Sequence, residues 1–568
     1  MAVKKDNGAS QPRYGINVEY DVYVKMRDGV RLCVDIYRPD AKGRFPALLG
    51  VSPLGKRVQV RLYDTSIIAE AGDPNYIVPK GYGHIVADVR GSGKSEGEMQ
   101  TFNSKQEQED NYDLVEWIAQ QSWCDSNIGM VGISYFAVSQ MLVAALQPPH
   151  LKAILAYDSP GDWYREGIYD GGIFSEFLFQ IYRRNIAVKN AVSVMVKNTP
   201  PEELERLVKE KENDTDINID SRYVNVLENP GSNPFAFDYL LNPTDGPFYW
   251  ERSPYTKYDK IKIPVYCGSG WYGYPISHLA GAFRNYAGLN VPKKLIISGP
   301  LFRGLEHPLA FSWREYHELL MRWYDYWLKG IDTGIMDEPP IKLFVMGVNK
   351  WRYENEWPLA RTKWTKFYLR SMGRLSDEPE TRVDDPDCFV QMPRNMTNVI
   401  QSLKYTTVPF VEPVEVTGPI ALYIYASIDQ ENTNWIAILK DIAPDGSERE
   451  LTRGWLKASH RAIDPGKSKP WSPYHIHINP EPVKPGKIYE YAIEIRPTSN
   501  VFKPGHRIQL EICNMELPVK GVIEPGYSPS HLACGKTVVH RLYRNASFQS
   551  YLVLPIIPHT DPSQWITT

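Results

Sequence analysis

Ile128-Gly-Met-Val-Gly-Ile-Ser-Tyr-Phe-Ala-Val-Ser-Gln-Met-Leu-Val-Ala-Ala-Leu146 decides the fold. An apolar run, Ile128 to Ile133, enters a tight Gly132-Ile133-Ser134-Tyr135 turn and leaves as a periodic stretch from Val138 to Leu146. That order predicts strand, sharp turn and helix, the setting of a nucleophile elbow. Such a turn lifts the Ser134 hydroxyl above the end of a sheet. It also leaves the Tyr135 amide at the positive end of a helix, where an oxyanion can form.

On either side of this stretch, strands and helices alternate. Phe45-Pro-Ala-Leu-Leu-Gly-Val51, His84-Ile-Val-Ala-Asp-Val89 and Leu151-Lys-Ala-Ile-Leu-Ala-Tyr157 are apolar runs of the kind buried on both faces. The segment from Gln106 to Gln121 has helical spacing between two of them. Alternation of this kind predicts an α/β fold with a mostly parallel sheet. The core around this sheet is expected in two parts, residues 1–162 and 247–339, interrupted by a helical cap over 163–246. From 340 to 568 the pattern becomes short strands between turns such as Pro444-Asp-Gly and Pro504-Gly-His, which predicts an all-β sandwich.

Composition narrows the function. A length of 568 residues calls for two or three domains, and a net charge of −3 provides no basic footprint for nucleic acid or a membrane surface. The N-terminus lacks the apolar core of a signal peptide, and no run of about eighteen apolar residues occurs, so a cytoplasmic protein is expected. The six cysteines are scattered without metal-ligand spacing, so neither metal nor cofactor is expected. Gly91-Ser-Gly-Lys-Ser95 imitates a phosphate loop, but Asp88 stands where that loop needs its first glycine.

Several further segments carry a family resemblance. They are Asp88-Val-Arg-Gly-Ser-Gly-Lys-Ser-Glu-Gly97, Glu109-Asp-Asn-Tyr-Asp-Leu-Val-Glu-Trp117, Gly129-Met-Val-Gly-Ile-Ser-Tyr135, Val345-Met-Gly-Val-Asn-Lys-Trp351, Val416-Thr-Gly-Pro419 and Ser499-Asn-Val-Phe-Lys-Pro-Gly-His506. With them the chain resembles the cocaine esterase and X-Pro dipeptidyl-peptidase type of serine hydrolase. The resemblance implies a hydrolase domain, a helical cap and a C-terminal jelly roll, working on acyl esters or amides through a Ser-Asp-His triad. It also implies that three triad-related positions are altered. The acid position after Gly270-Trp271-Tyr272 is Gly273, the histidine position after Gly299-Pro300-Leu301-Phe302 is Arg303, and the oxyanion tyrosine is replaced by Leu54.

Arg303 stays protonated and cannot take a proton from Ser134. His307, four residues further on with Glu306 beside it, is the first candidate base, and His278 after Trp271 is the second. No carboxylate–imidazole pair is expected within reach of Ser134. Leu54, Trp271, Tyr272, Gly273, Phe302 and Arg303 are expected to line a pocket for a small-molecule substrate. Three functions stay open: acyl hydrolysis at Ser134; a non-hydrolytic cyclase, isomerase or lyase that reuses the pocket; and a catalytically dead binding protein. A homo-oligomer is also left open.

Overall fold

The structure is a computed structural model describing residues 8–60, 70–176, 188–271, 278–299, 312–516 and 531–558. Its first sheet has ten strands in the order β1-β2-β4-β3-β5-β6-β9-β10-β11-β12. They are β1 Ile16–Lys25, β2 Arg31–Pro39, β3 Phe45–Ser52, β4 Gly83–Asp88, β5 Cys124–Met130, β6 Leu151–Tyr157, β9 Val265–Gly270, β10 Lys293–Ser298, β11 Ile341–Val345 and β12 Lys350–Glu354. From β4 to β11 neighbouring strands run parallel. An antiparallel pair closes the far edge and antiparallel β1 and β2 the near one. The apolar runs are buried on both faces because helices cover the sheet on each side. The sheet extends past residue 339: Ile341–Val345 adds to β10 in parallel, with Leu295 opposite Ile341.

Helix Trp313–Lys329 fixes the strands that carry the site. A reciprocal capping box between Ser312 and Glu315 starts it, and Gly330, with φ of 67°, ends it. Such caps contribute about 1 kcal/mol each. From its buried face Trp323 Nε1 donates to Ile154 O on β6 at 3.0 Å, and the Tyr324 hydroxyl donates to Met130 O on β5. The two strands that end at the site are thereby held by one helix.

The cap expected over 163–246 begins with a π-helical turn, Trp163–Ile168, followed by the small ladder β7 Tyr169–Asp170 and β8 Ile173–Phe174. Five short helices span Val194 to Leu241. This helical segment is pinned to the loop before helix Lys105–Ala119 by Asp238, which accepts from Thr101 Oγ1, Ser193 Oγ and the amides of Val194 and Met195. Phe102 packs in the same place, its ring 4.9 Å from Phe235 and 5.3 Å from Tyr135.

The remaining strands form a second sheet: β13 Lys363–Arg370, β14 Arg374–Ser376, β15 Asp387–Gln391, β16 Ser402–Thr406, β17 Val414–Ile428, β18 Asn434–Ile442, β19 Glu448–Lys457, β20 Tyr489–Phe502, β21 Arg507–Cys513, β22 Val538–Tyr543 and β23 Tyr551–Ile557. Pairing of β17 with β23 closes nine of them into a ring. Two links in that ring are single register pairs, Gly454 with Ile495 and Arg374 with Thr406. The ladder of the ring is thinnest at these two links. Among the described residues no helix is long and apolar enough to cross a membrane.

Candidate active site

Ser134 sits where the local sequence places it, between β5 and helix α3, Tyr135–Leu146, which follows α1 Pro74–Ile77 and α2 Lys105–Ala119 in the chain. Its backbone has φ of 60° and ψ of −112°, a conformation that non-glycine residues rarely hold without support. The support is specific. Ser134 N–H donates to Tyr157 O on β6 at 3.0 Å, and the Phe136 amide closes the turn onto Ile133 O. Gly132 must be glycine here: its φ is 126°, and a Cβ would sit 2.4 Å from Phe136 Cβ. Ser134 itself is half-buried, so its hydroxyl is not sealed in the core.

An imidazole meets that hydroxyl. His278 Nε2 lies 3.1 Å from Ser134 Oγ, at the start of helix His278–Gly288. Its other nitrogen, Nδ1, lies 3.7 Å from Asp158 Oδ2. Asp158 follows β6 directly, with φ of 59°, so the tips of neighbouring parallel strands carry two left-handed residues. Ser269 Oγ, from the end of β9, donates to Asp158 Oδ1 at 2.6 Å. The Asp158 amide is itself bonded to Gly268 O at 2.8 Å.

An imidazole thus reaches Ser134, contrary to expectation, while the carboxylate stands 3.7 Å from that imidazole, beyond hydrogen-bond length. The family positions Gly273 and Arg303 are not what the described residues bring to the serine. His278 comes from the next helix, and Asp158 from the strand tip beside the elbow. Gly273 and Arg303 themselves, with Tyr272, Phe302, Glu306 and the candidate base His307, lie outside the described residues.

Burial sets the protonation of the pair. It pushes the Asp158 carboxyl up to about 7, opposed by the Ser269 hydrogen bond, and pushes the His278 imidazole down to about 3. Near neutral pH the imidazole is uncharged and can accept a proton from Ser134. Asp158 is then close to its midpoint.

Behind the elbow, Tyr135 anchors the amide that would face an oxyanion. As the first residue of α3 it has an N–H without an intrahelical acceptor. Its hydroxyl donates to Glu107, 2.8 Å and 2.7 Å from the two carboxylate oxygens, and Glu107 also accepts from the Asn103 amide at 3.1 Å. Burial raises the Glu107 carboxyl to about 7 despite the Tyr135 bond.

Two residues expected at the pocket wall are placed differently from each other. Leu54 is half-buried and packs against the cluster of Ala71, Val86 and Phe136, with its amide on Ser52 Oγ at 3.2 Å. Its side chain is apolar and cannot donate to an oxyanion. Trp271 turns into the core: it is 1% exposed, its Nε1 donates to Phe344 O on β11, and its ring packs against Phe283 and Trp357. Trp271 thus ties the end of β9 to β11, two strands away in the sheet. Among the described residues no group of three or more His, Cys, Asp or Glu side chains is arranged to hold a metal ion.

A mostly parallel sheet with a strained serine elbow and a histidine on its hydroxyl defines a serine-hydrolase fold. Comparison with known proteins makes the family explicit. X-Pro dipeptidyl-peptidase (S15 family) matches residues 28–300, and the X-Pro dipeptidyl-peptidase C-terminal non-catalytic domain matches residues 333–553. The chain belongs to this family of serine hydrolases, which takes in cocaine esterase. Cocaine esterase of Rhodococcus sp. (strain MB1 Bresler) is 28% identical over 95% of this chain and 99% of its own. A CocE/NonD family hydrolase from Staphylococcus aureus has the same fold, with a TM-score of 0.76 at 23% identity, covering 96% of this chain and 97% of that one. So has an aminopeptidase from a marine sediment archaeon, Thaumarchaeota archaeon, with a TM-score of 0.73 at 17% identity over 98% of both chains.

Proposed function

We propose that the protein is an acyl hydrolase for a small-molecule ester or amide, working through Ser134, His278 and Asp158 in place of the family's usual acid and base positions. The observation that carries this reading is the 3.1 Å contact between Ser134 Oγ and His278 Nε2. With the ring proton on Nδ1, His278 Nε2 takes the Ser134 proton as Oγ attacks the substrate carbonyl carbon. The carbonyl oxygen becomes an oxyanion facing the Tyr135 amide and the positive end of α3. His278 then returns the proton to the leaving alcohol or amine, and an acyl group stays on Ser134. Water repeats the sequence and releases the acid.

Asp158 supports this cycle at one step. Forming an imidazolium 3.7 Å from its carboxyl favours the ionised carboxylate, so the charge on Asp158 grows when the charge on His278 does. Catalytic contacts of this kind tighten in the complex with substrate. In the same reading the cap encloses the substrate over the elbow, the C-terminal strands form a jelly roll, and the enzyme is cytoplasmic.

A fluorophosphonate probe and p-nitrophenyl acetate test the proposal. Labelling is expected at Ser134, with labelling and turnover abolished in Ser134→Ala and strongly slowed in His278→Gln. An unlabelled wild type without ester turnover would sink it, leaving a cyclase, isomerase or lyase use of the pocket, or a binding role.

A further inference from the structure

Three contacts tie the loop carrying Asp158 to the helix carrying His278. Gly281 lets the two backbones meet: a Cβ there would sit 2.2 Å from Ser159 O and 2.7 Å from Pro160 Cα. One turn further along, Asn285 Nδ2 donates to Ser159 O at 3.0 Å while its Oδ1 accepts from Tyr258 OH at 2.8 Å. Between these, Arg284 Nε donates to Glu166 Oε1. The other oxygen of Glu166 accepts the amides of Gly161 at 2.7 Å and Asp162 at 3.0 Å.

Glu166 belongs to neither of the segments it joins. It is fully buried in the π-helical first turn of the cap, a form of winding often found at functional sites. The adjoining residue, Arg165, reaches the opposite way. Its guanidinium contacts Asp162 at 2.9 Å and Asp245 at 2.7 Å, and donates to the carbonyls of His475 at 2.9 Å and Ile476 at 3.1 Å in the C-terminal region. Arg496 and Glu494, both on β20, and Asp170, which Arg496 contacts, also act on this cluster.

We propose that Glu166 is a positioning residue that sets the separation of Asp158 and His278, so that the cap and the C-terminal region govern the acid–base pair through one buried carboxylate. The inference rests on the assignment of those two residues as acid and base. At 3.7 Å the pair stands just outside hydrogen-bond length, where a displacement of well under 1 Å decides whether the contact forms. An anchor shared by both segments therefore acts on rate more than on substrate affinity.

The test uses the full-length protein with p-nitrophenyl acetate as substrate and a fluorophosphonate to time the labelling of Ser134. In Glu166→Gln the amide oxygen can keep the Gly161 and Asp162 bonds while an NH2 group turns towards Arg284. The expected result is a kcat at least about tenfold lower with KM unchanged within about twofold, and labelling slowed in parallel. Arg284→Lys, which keeps the charge, should fall between wild type and Glu166→Gln. If Glu166→Gln does not fold, Arg284→Lys and Asn285→Ala read the same clamp and should show the same loss confined to kcat. Folded variants with wild-type kcat and labelling rate would overturn the inference. His278→Gln, run alongside, separates the two ideas. Wild-type labelling in that variant removes the assignment on which the inference rests, whereas slow labelling there with fast labelling in Glu166→Gln removes the inference alone.

Discussion

The serine half of the site and the acid half are built by different means. Ser134 is fixed by its own neighbourhood: a strand, a glycine with φ of 126° and the first turn of α3. Asp158 and His278 are fixed by distant segments, through Ser269, Gly281, Asn285 and Glu166. The first half meets its partner at 3.1 Å and the second stands 3.7 Å apart. The shape of the elbow is set by one short stretch, whereas the 3.7 Å separation is assembled from several segments and is open to adjustment.

Mutations can break this comparison at several strengths. The largest effect is expected from Ser134→Ala, a loss of ester turnover of about 10⁴-fold or more, and His278→Gln should approach it because nucleophile and base act as a unit. Asp158→Asn should lose less, about 10–100-fold, since a weaker contact orients the base less strongly than a closely bonded acid does. Steady-state kinetics of the three variants against p-nitrophenyl acetate rank the halves. An Asp158→Asn loss as large as that of Ser134→Ala would show the two halves to be equally tight. The wild-type kcat/KM should also rise as pH passes through about 7, where Asp158 ionises, and the rise should be absent in Asp158→Asn.

Stability sharpens the comparison with a smaller signal. Asp158 is raised from 3.8 to about 7 in the fold, so between those values the native state holds a proton that the unfolded chain has released. Raising pH through this window therefore destabilises the wild type. Asp158→Asn should gain on it by up to about 4 kcal/mol and level off above pH about 7. His278 works in the opposite sense. It falls from 6.5 to about 3 in the fold, so stability is fully present above 6.5 and is lost as pH drops towards 3. His278→Gln should gain on the wild type only on that acid side. Urea unfolding of both variants from pH 4 to 8 checks the two signs, and curves that run parallel to wild type would show that neither group is held neutral by burial.

The smallest change concerns the oxyanion anchor. Glu107→Gln keeps an acceptor for the Tyr135 hydroxyl, so it should lower ester turnover by only about 2–5-fold. A loss as large as that of Asp158→Asn would place the anchor among the groups that decide the rate.

The elbow was legible because strand, turn and helix lie within one stretch of nineteen residues from Ile128 to Leu146. The alternating strands were legible for the same local reason. The acid was not: Asp158 is one polar residue after an apolar run, and only the pairing of β5 with β6 brings it beside Ser134. A carboxylate at the carboxyl end of a strand next to an elbow was the available signal. His278 was visible as a histidine after Trp271, yet nothing local ranked it above His307. Trp271 was legible as an aromatic residue after a strand, but its packing was not, because its partner, Phe344, lies on a strand beyond Pro339-Pro340 that resembled the start of another domain.

The single-pair seams of the C-terminal ring have a kinetic corollary. Between Gly454 and Ile495, and between Arg374 and Thr406, the ladder is reduced to one pair, the first helped by Thr452 Oγ1 donating to Arg496 O at 2.8 Å, whereas β17 and β20 share a ladder from Val414–Phe502 to Ala426–Tyr489. Native-state deuterium uptake should accordingly begin at the seams, with the β17–β20 amides exchanging last. A protease given partially opened molecules would find its first cuts beside Arg374, leaving the long ladder as the resistant fragment.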